Sequence, residues 1–237
     1  MTVPGASFRA LVTKETKALF TSMIAYAVIA VFLVLMSYSF TTTLFVTQTA
    51  TLIHVFYQAA LLMLLLVPVL TMRLFAEERR AGTLEVLLTS PCREFEVVFA
   101  KFLATLLVIA AMLALSLAYP ITLEIFGSPD WGPVYGGYLG LVLLAAALTA
   151  LGLAISAITT NQIVAAVLSI GLFFLLWTTD QFGAVLPKPF DQIAVDLSLS
   201  ARLAPFVTGA MYFSDFGFFL SLTLLGLVMG VRALARR

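Results

Sequence analysis

An all-α integral membrane protein with six transmembrane helices, an N-terminal interfacial helix and a short helix on one membrane surface is the fold class this sequence predicts. Three observations carry the prediction. Of the 237 residues 62% are hydrophobic and only 11% charged, whereas soluble domains run at about 45–50% and about 25%. The apolar residues fall in long charge-free blocks rather than in amphipathic stripes. Lysines and arginines collect on alternate connections between those blocks.

A helix needs about 20 apolar residues to cross roughly 30 Å of hydrocarbon. Six blocks qualify, over about 19–37, 55–74, 102–123, 134–158, 163–179 and 216–234. Ahead of the first, Phe8, Leu11, Val12 and Leu19 fall at helical spacing opposite Arg9, Lys14 and Lys17. This is the pattern of a helix lying in the membrane interface, with a disordered tail as the alternative. A signal peptide is disfavoured, because the first block is too long for an h-region and no small-residue cleavage site follows it. A Gly/Pro-rich break precedes the fourth block, and the polar run Thr159-Thr160-Asn161-Gln162 makes the fourth and fifth a tight hairpin. Residues 1–237 read as one membrane domain. Two substantial stretches, 75–101 and 181–215, fall outside the spans.

Cytoplasmic loops retain positive charge, so the Lys and Arg distribution gives the orientation. With the N-terminus inside, 11 of the 13 lysines and arginines face the cytoplasm: Arg9, Lys14, Lys17, Arg73, Arg79, Arg80, Arg93, Lys101, Arg232, Arg236 and Arg237. Only Lys188 and Arg202 fall outside, and both termini are expected inside. A formal net charge of +1 supplies no basic surface for nucleic acid. Cys92 is the sole cysteine and His54 the sole histidine, so neither an intrachain disulfide nor a Cys/His metal cluster can be assembled.

The stretch 75–101 holds the densest charge. Leu84, Leu87 and Leu88 share one helical face with Glu78, Arg79 and Glu85 away from it, which predicts a short amphipathic helix at the cytoplasmic surface. Ser90-Pro91 reads as the N-cap and first position of a second helix that runs through Lys101 into the membrane. A plain connector needs only a few residues. A knob of this length suits docking in a groove of a partner protein, apolar face inward and charges at the rim. On the other side of the membrane, a loosely ordered loop is one reading of Asp191 to Ser200.

The run Glu77-Glu78-Arg79-Arg80-x-Gly82-Thr83-Leu84-Glu85-x-Leu87-Leu88-x-x-Pro91, followed by Lys101, resembles the cytoplasmic signature of type 2 ABC exporter permeases. Within them it is most similar to the gliding-motility-type subfamily, and the likeness covers nearly the whole chain. It implies the membrane-spanning permease subunit of an ATP-binding cassette exporter in a bacterial or archaeal inner membrane. By the same resemblance, 75–101 is the coupling helix seated in a separate ATPase subunit, with Glu78, Arg80, Thr83, Glu85 and Pro91 as the positions carried over. A second permease, identical or related, and an auxiliary subunit are the further partners of such assemblies. Short helices dipping into the outer leaflet within 191–213, acting as an exit gate, are also implied. This chain would then be no enzyme by itself and hold no cofactor, ATP and Mg belonging to the partner ATPase.

The residues agree on the energy source. No Gly-Lys pair occurs, hence no phosphate-cradling loop ending in Gly-Lys-Ser/Thr. An ion-coupled carrier keeps ionisable groups deep in its spans, but Glu124, Asp180 and Asp215 fall near outer ends and Arg73 and Lys101 near inner ends. Energy is expected to arrive through 75–101. An ATPase-independent channel or carrier, and a membrane scaffold for a cytoplasmic partner, are the alternatives.

Ser116, Thr149 and Ser156 are expected to bond their own or neighbouring helices. The Ser/Thr-rich stretch from Ser37 to Thr49 reads the same way, with pathway lining as its other reading. Gly136-x-x-x-Gly140, Gly152-x-x-x-Ser156 and Gly226-x-x-x-Gly230 predict close helix approach, and Trp131 and Tyr135 read as interfacial anchors. Eight scattered methionines form no organised copper site. The substrate is not written in the sequence.

Overall fold

The computed structural model describes residues 4–80, 82, 93–183, 187–188 and 190–235. Among them are eleven helices and no strand. They are α1 (Pro4–Phe20), α2 (Met23–Thr47), α3 (Ile53–Thr71), α4 (Arg73–Arg80), α5 (Glu94–Ser116), α6 (Ala118–Phe126), α7 (Trp131–Ile158), α8 (Gln162–Gly183), α9 (Phe190–Leu197), α10 (Leu199–Thr208) and α11 (Phe213–Ala235). Six segments are long and apolar enough to cross a membrane: Met23–Val46, Ile53–Arg80, Glu94–Phe126, Trp131–Ile158, Gln162–Gly183 and Phe213–Ala235. This all-helical, six-span architecture is the one the sequence predicts, with shifted edges that have local causes.

The first span starts at Met23 rather than near residue 19, because the chain leaves α1 at Thr21-Ser22. It also runs about ten residues further than the hydropathy suggests. The hydroxyls of Thr41 and Thr42 donate to the carbonyls of Ser37 and Tyr38, at 2.8 and 2.9 Å, so polar side chains there are satisfied by the helix itself. The helix ends only where Gln48 turns left-handed, its N–H bonding the Leu44 carbonyl.

The helix that carries the third span is described from Glu94. Arg93 is extended, and the Glu96 carboxylate accepts from its N–H at 3.1 Å, closing the first turn from within. Ser90 and Pro91 lie outside the described residues. The same span breaks between α5 and α6, because Pro120 has no N–H for the Ser116 carbonyl. The Tyr138 hydroxyl on α7 donates to that carbonyl instead, at 2.8 Å, and lies 3.1 Å from the Ser116 hydroxyl.

α7 is the central helix. Buried residues make up 72% of its most apolar 18-residue window, against 22% in α2 and in α8. α3, α5, α8, α10 and α11 all pack on it. Small residues bring these neighbours close. Phe206 and Leu203 of α10 cover Gly140, the Phe206 carbonyl lies against Gly136, and the Ala150–Leu151 backbone lies against Gly226 of α11. One core, with Phe32, Phe56, Leu144, Phe173 and Phe206 at its centre, fills the bundle. A second core, built from Leu11, Phe75, Val98, Leu153 and Leu234, closes the end that carries α1 and α4.

A methyl group on Gly226 would lie 2.6 Å from the Ala150 carbonyl carbon. Gly226→Ala is therefore expected to push α11 off α7 at a cost of about 1–3 kcal/mol. A methyl group on Gly217 of the same helix would meet open space. A thermal unfolding midpoint in detergent that falls for Gly226→Ala and holds for Gly217→Ala is the measurement that checks it.

Candidate functional site

α4 carries the first four residues of the charged signature. Its start is held from outside the helix. The first turn of any helix leaves N–H groups without partners, and here the Ser156 hydroxyl of α7 accepts from the N–H of Phe75 and of Ala76, both at 3.2 Å. The same hydroxyl donates to the Met72 carbonyl at 3.1 Å. One buried oxygen thus joins the α3–α4 joint to the end of α7. Gly152, one turn earlier, leaves room for Thr71 against the same face.

Beside this joint sits a buried ion cluster. Lys101 on α5 is only 2% exposed. Its Nζ lies 3.0 Å from Glu15 Oε2 on α1 and 2.7 Å from Glu78 Oε1 on α4, and 5.3 Å from the centre of the Phe75 ring. A buried ammonium without a partner costs several kcal/mol. Two carboxylates from two different helices therefore hold it, and the bond geometry fixes where α1 and α4 sit. Phe8 of α1 and Phe95 and Phe102 of α5 each stack on Phe99 of α5. Arg73 and Glu77, an exposed i,i+4 pair at 2.8 Å, add little to stability.

Of the sequence-designated residues, Glu77, Glu78, Arg79 and Arg80 occupy α4, and Gly82 follows it at φ +70 with its N–H bonded to the Arg79 carbonyl. That left-handed turn suits glycine. Thr83, Leu84, Glu85, Leu87, Leu88 and Pro91 lie outside the described residues, as does the amphipathic helix expected there. Glu78 points into the bundle, toward Lys101, rather than to a solvated rim.

Sequence reasoning left out Glu15, Lys101 and Ser156 as members of one site. A signal for Glu15 was present, since it falls on the Phe8–Leu11–Val12–Leu19 stripe, where an acid needs a buried partner. Lys101 sits among residues at helical spacing that are all apolar or small, with Val97, Val98, Phe102 and Thr105 buried around it.

The opposite end carries its own network. Asp191 to Ser200 is helical, not loosely ordered: α9 and α10 meet at Ser198, whose hydroxyl accepts from the Ala201 N–H at 3.4 Å and donates to the Trp177 carbonyl at 3.3 Å. Ser200 donates to Asp180 at 2.9 Å. Arg202 bonds Asp196 at 2.7 Å and the 3%-exposed Asp215 at 2.9 Å, tying α10 to the start of α11. Trp131 donates to Glu124 at 3.1 Å and stacks near Tyr135, both partly exposed. Among the described residues no group of three His, Cys, Asp or Glu is placed to hold a metal.

Residues 46–214 match the family model described as "ABC-2 family transporter protein". The match spans more than two thirds of the chain, and the chain belongs to that family. No curated protein matches it. Lys101, Glu78, Ser156 and Arg202 lie inside the matched range and Glu15 outside it.

Lys101→Met is expected to strip Glu15 and Glu78 of the cation they share and to destabilise by about 3–5 kcal/mol, read as a lowered unfolding midpoint and earlier proteolysis within α1. Ser156→Ala removes the shared acceptor of two buried N–H groups, an expected loss of about 1–3 kcal/mol in the same assay.

Proposed function

We propose that this ABC-2 permease, a multi-pass membrane subunit without catalysis of its own, exports a substrate with energy from a separate ABC ATPase seated on residues 75–101. That segment then acts as the coupling helix, with Glu77, Arg79, Arg80, Gly82, Thr83, Leu84, Glu85, Leu87, Leu88 and Pro91 as the docking residues and Glu78 as their anchor to Lys101. ATP and Mg stay with the partner. The single observation that supports this reading most is the anchoring of α4: a push on its charged surface passes directly into α7 through Ser156 and into α1 and α5 through Lys101. A solvated connector has no use for such anchorage.

The Lys and Arg bias supports an inner-membrane orientation with both termini, α1 and α4 on the cytoplasmic side. The short helices α9 and α10 then lie at the outer side, suited to an exit gate. A second permease, identical or related, completes the unit. The low burial of α2, α8 and α11, 22%, 22% and 28% of their most apolar windows, leaves apolar faces for it and for lipid. The gliding-motility-type subfamily is the nearest likeness in the sequence.

Affinity purification of the tagged chain in mild detergent tests the coupling. Wild type is expected to bring down a P-loop ATPase in stoichiometric amount, and Glu85→Arg to lose it. Ser156→Ala is expected to keep the ATPase yet lose transport. A chain that purifies alone and supports flux in liposomes would replace this reading with an independent carrier.

Orientation has its own check. In a Cys92→Ser background, Lys188→Cys is expected to react with an impermeant maleimide in intact cells. Lys14→Cys is expected to react only after the membrane is opened, and the reverse pattern would invert the topology.

A further inference from the structure

Between the α1–α2 elbow and the α3–α4 joint lies a cleft of about 330 Å³, within the size range of small-molecule sites. Its lining divides by chemistry. Leu19 of α1, Ile24 of α2 and Val69 and Leu70 of α3 supply the apolar part of the lining. Glu15, Glu77, Glu78, Arg73 and Lys101 supply the charged part. A wholly polar solute would leave the apolar part wet, and a wholly apolar one would strip water from the charges without replacing it. An amphiphile with a charged head and one apolar chain satisfies both.

The sign of the head follows from the charges. Among the described residues that line the cleft, three carboxylates face two cations, an excess of one negative charge. Both cations are already engaged: Lys101 with Glu15 and Glu78, and Arg73 through its fork with both oxygens of Glu77. Carboxylates accept at several lone pairs each, so the half-exposed Glu77 can take a further N–H donor while keeping its pair with Arg73. A cationic head brings this balance to neutral, whereas an anionic head would add a fourth negative charge to the three carboxylates. We infer that this cleft binds a cationic amphiphile, one with a primary ammonium head and a single apolar chain occupying it. On the orientation proposed above it lies at the cytoplasmic leaflet, but the inference rests on the cleft alone and stands whether or not an ATPase docks nearby.

Native mass spectrometry of the full-length protein in a neutral maltoside detergent tests it, with dodecylammonium, dodecyl phosphate, phosphatidylethanolamine and phosphatidylglycerol as probes. Wild type is expected to retain one amine-headed ligand per chain, preferred about ten-fold over its anionic counterpart, the size of effect one net charge at close range supplies. Ala18→Trp, an exposed position on the cleft wall, is expected to abolish retention while the protein stays folded. Glu77→Gln releases Arg73 and removes the excess charge, so the preference is expected to fall toward unity. Phosphatidylethanolamine that survives purification and resists exchange by dodecylammonium would identify the bilayer as the source; ready exchange would identify a single-chain amine. Equal retention of dodecylammonium and dodecyl phosphate by wild type, or undiminished retention in Ala18→Trp, would overturn the proposal.

Discussion

The charged end of this protein depends on one cation. Lys101 is the one charged residue of its helix beyond the first turn, and its ammonium can be buried only if opposite charges come to it. They come from two directions, Glu15 on the N-terminal helix and Glu78 on α4, so three elements far apart in sequence are pinned at one point. Apolar contacts could hold these helices against one another in several registers. Ionic bonds at 2.7 and 3.0 Å select one.

The rest of the fold answers a related constraint, that a buried backbone group must find a partner wherever a helix is interrupted. Two interruptions meet a side-chain oxygen from another helix, and a third is capped by its own serine. Pro120 frees the Ser116 carbonyl, and Tyr138 bonds it. The α3–α4 joint exposes two N–H groups and a carbonyl, and Ser156 satisfies all three. Ser198 caps α10 and reaches back to Trp177. Other hydroxyls within the spans, such as Thr41, Thr105 and Thr223, bond carbonyls of their own helices.

Much of this was legible in the sequence. Six apolar blocks gave six spans, and the three small-residue motifs mark real close approaches, at Gly136 and Gly140 under Phe206, Gly152 against Thr71, and Gly226 against Ala150. Span edges were less legible, because hydropathy treats Thr41 and Thr42 as polar although each returns its hydroxyl to the helix. The ion cluster was hidden for a different reason. Its members lie 86 and 23 residues apart in sequence, and periodicity reports which face of a helix is buried, not which residue on another helix will meet it. Glu15 on an apolar stripe signalled the need for a partner without naming Lys101.

α7 touches both ends of the molecule through fixed points: Gly136 and Gly140 under the short helix α10 at one end, Ser156 in the α3–α4 joint at the other. At 28 residues it is about 42 Å long. It acts as a beam. Tilting it by about 10° around its midpoint would carry each end about 3–4 Å in opposite directions, a displacement comparable to one strand spacing. Movement at α4 and movement at α10 are therefore not independent variables in this architecture, since a rigid rod pivoting between its ends transmits displacement with its sign reversed.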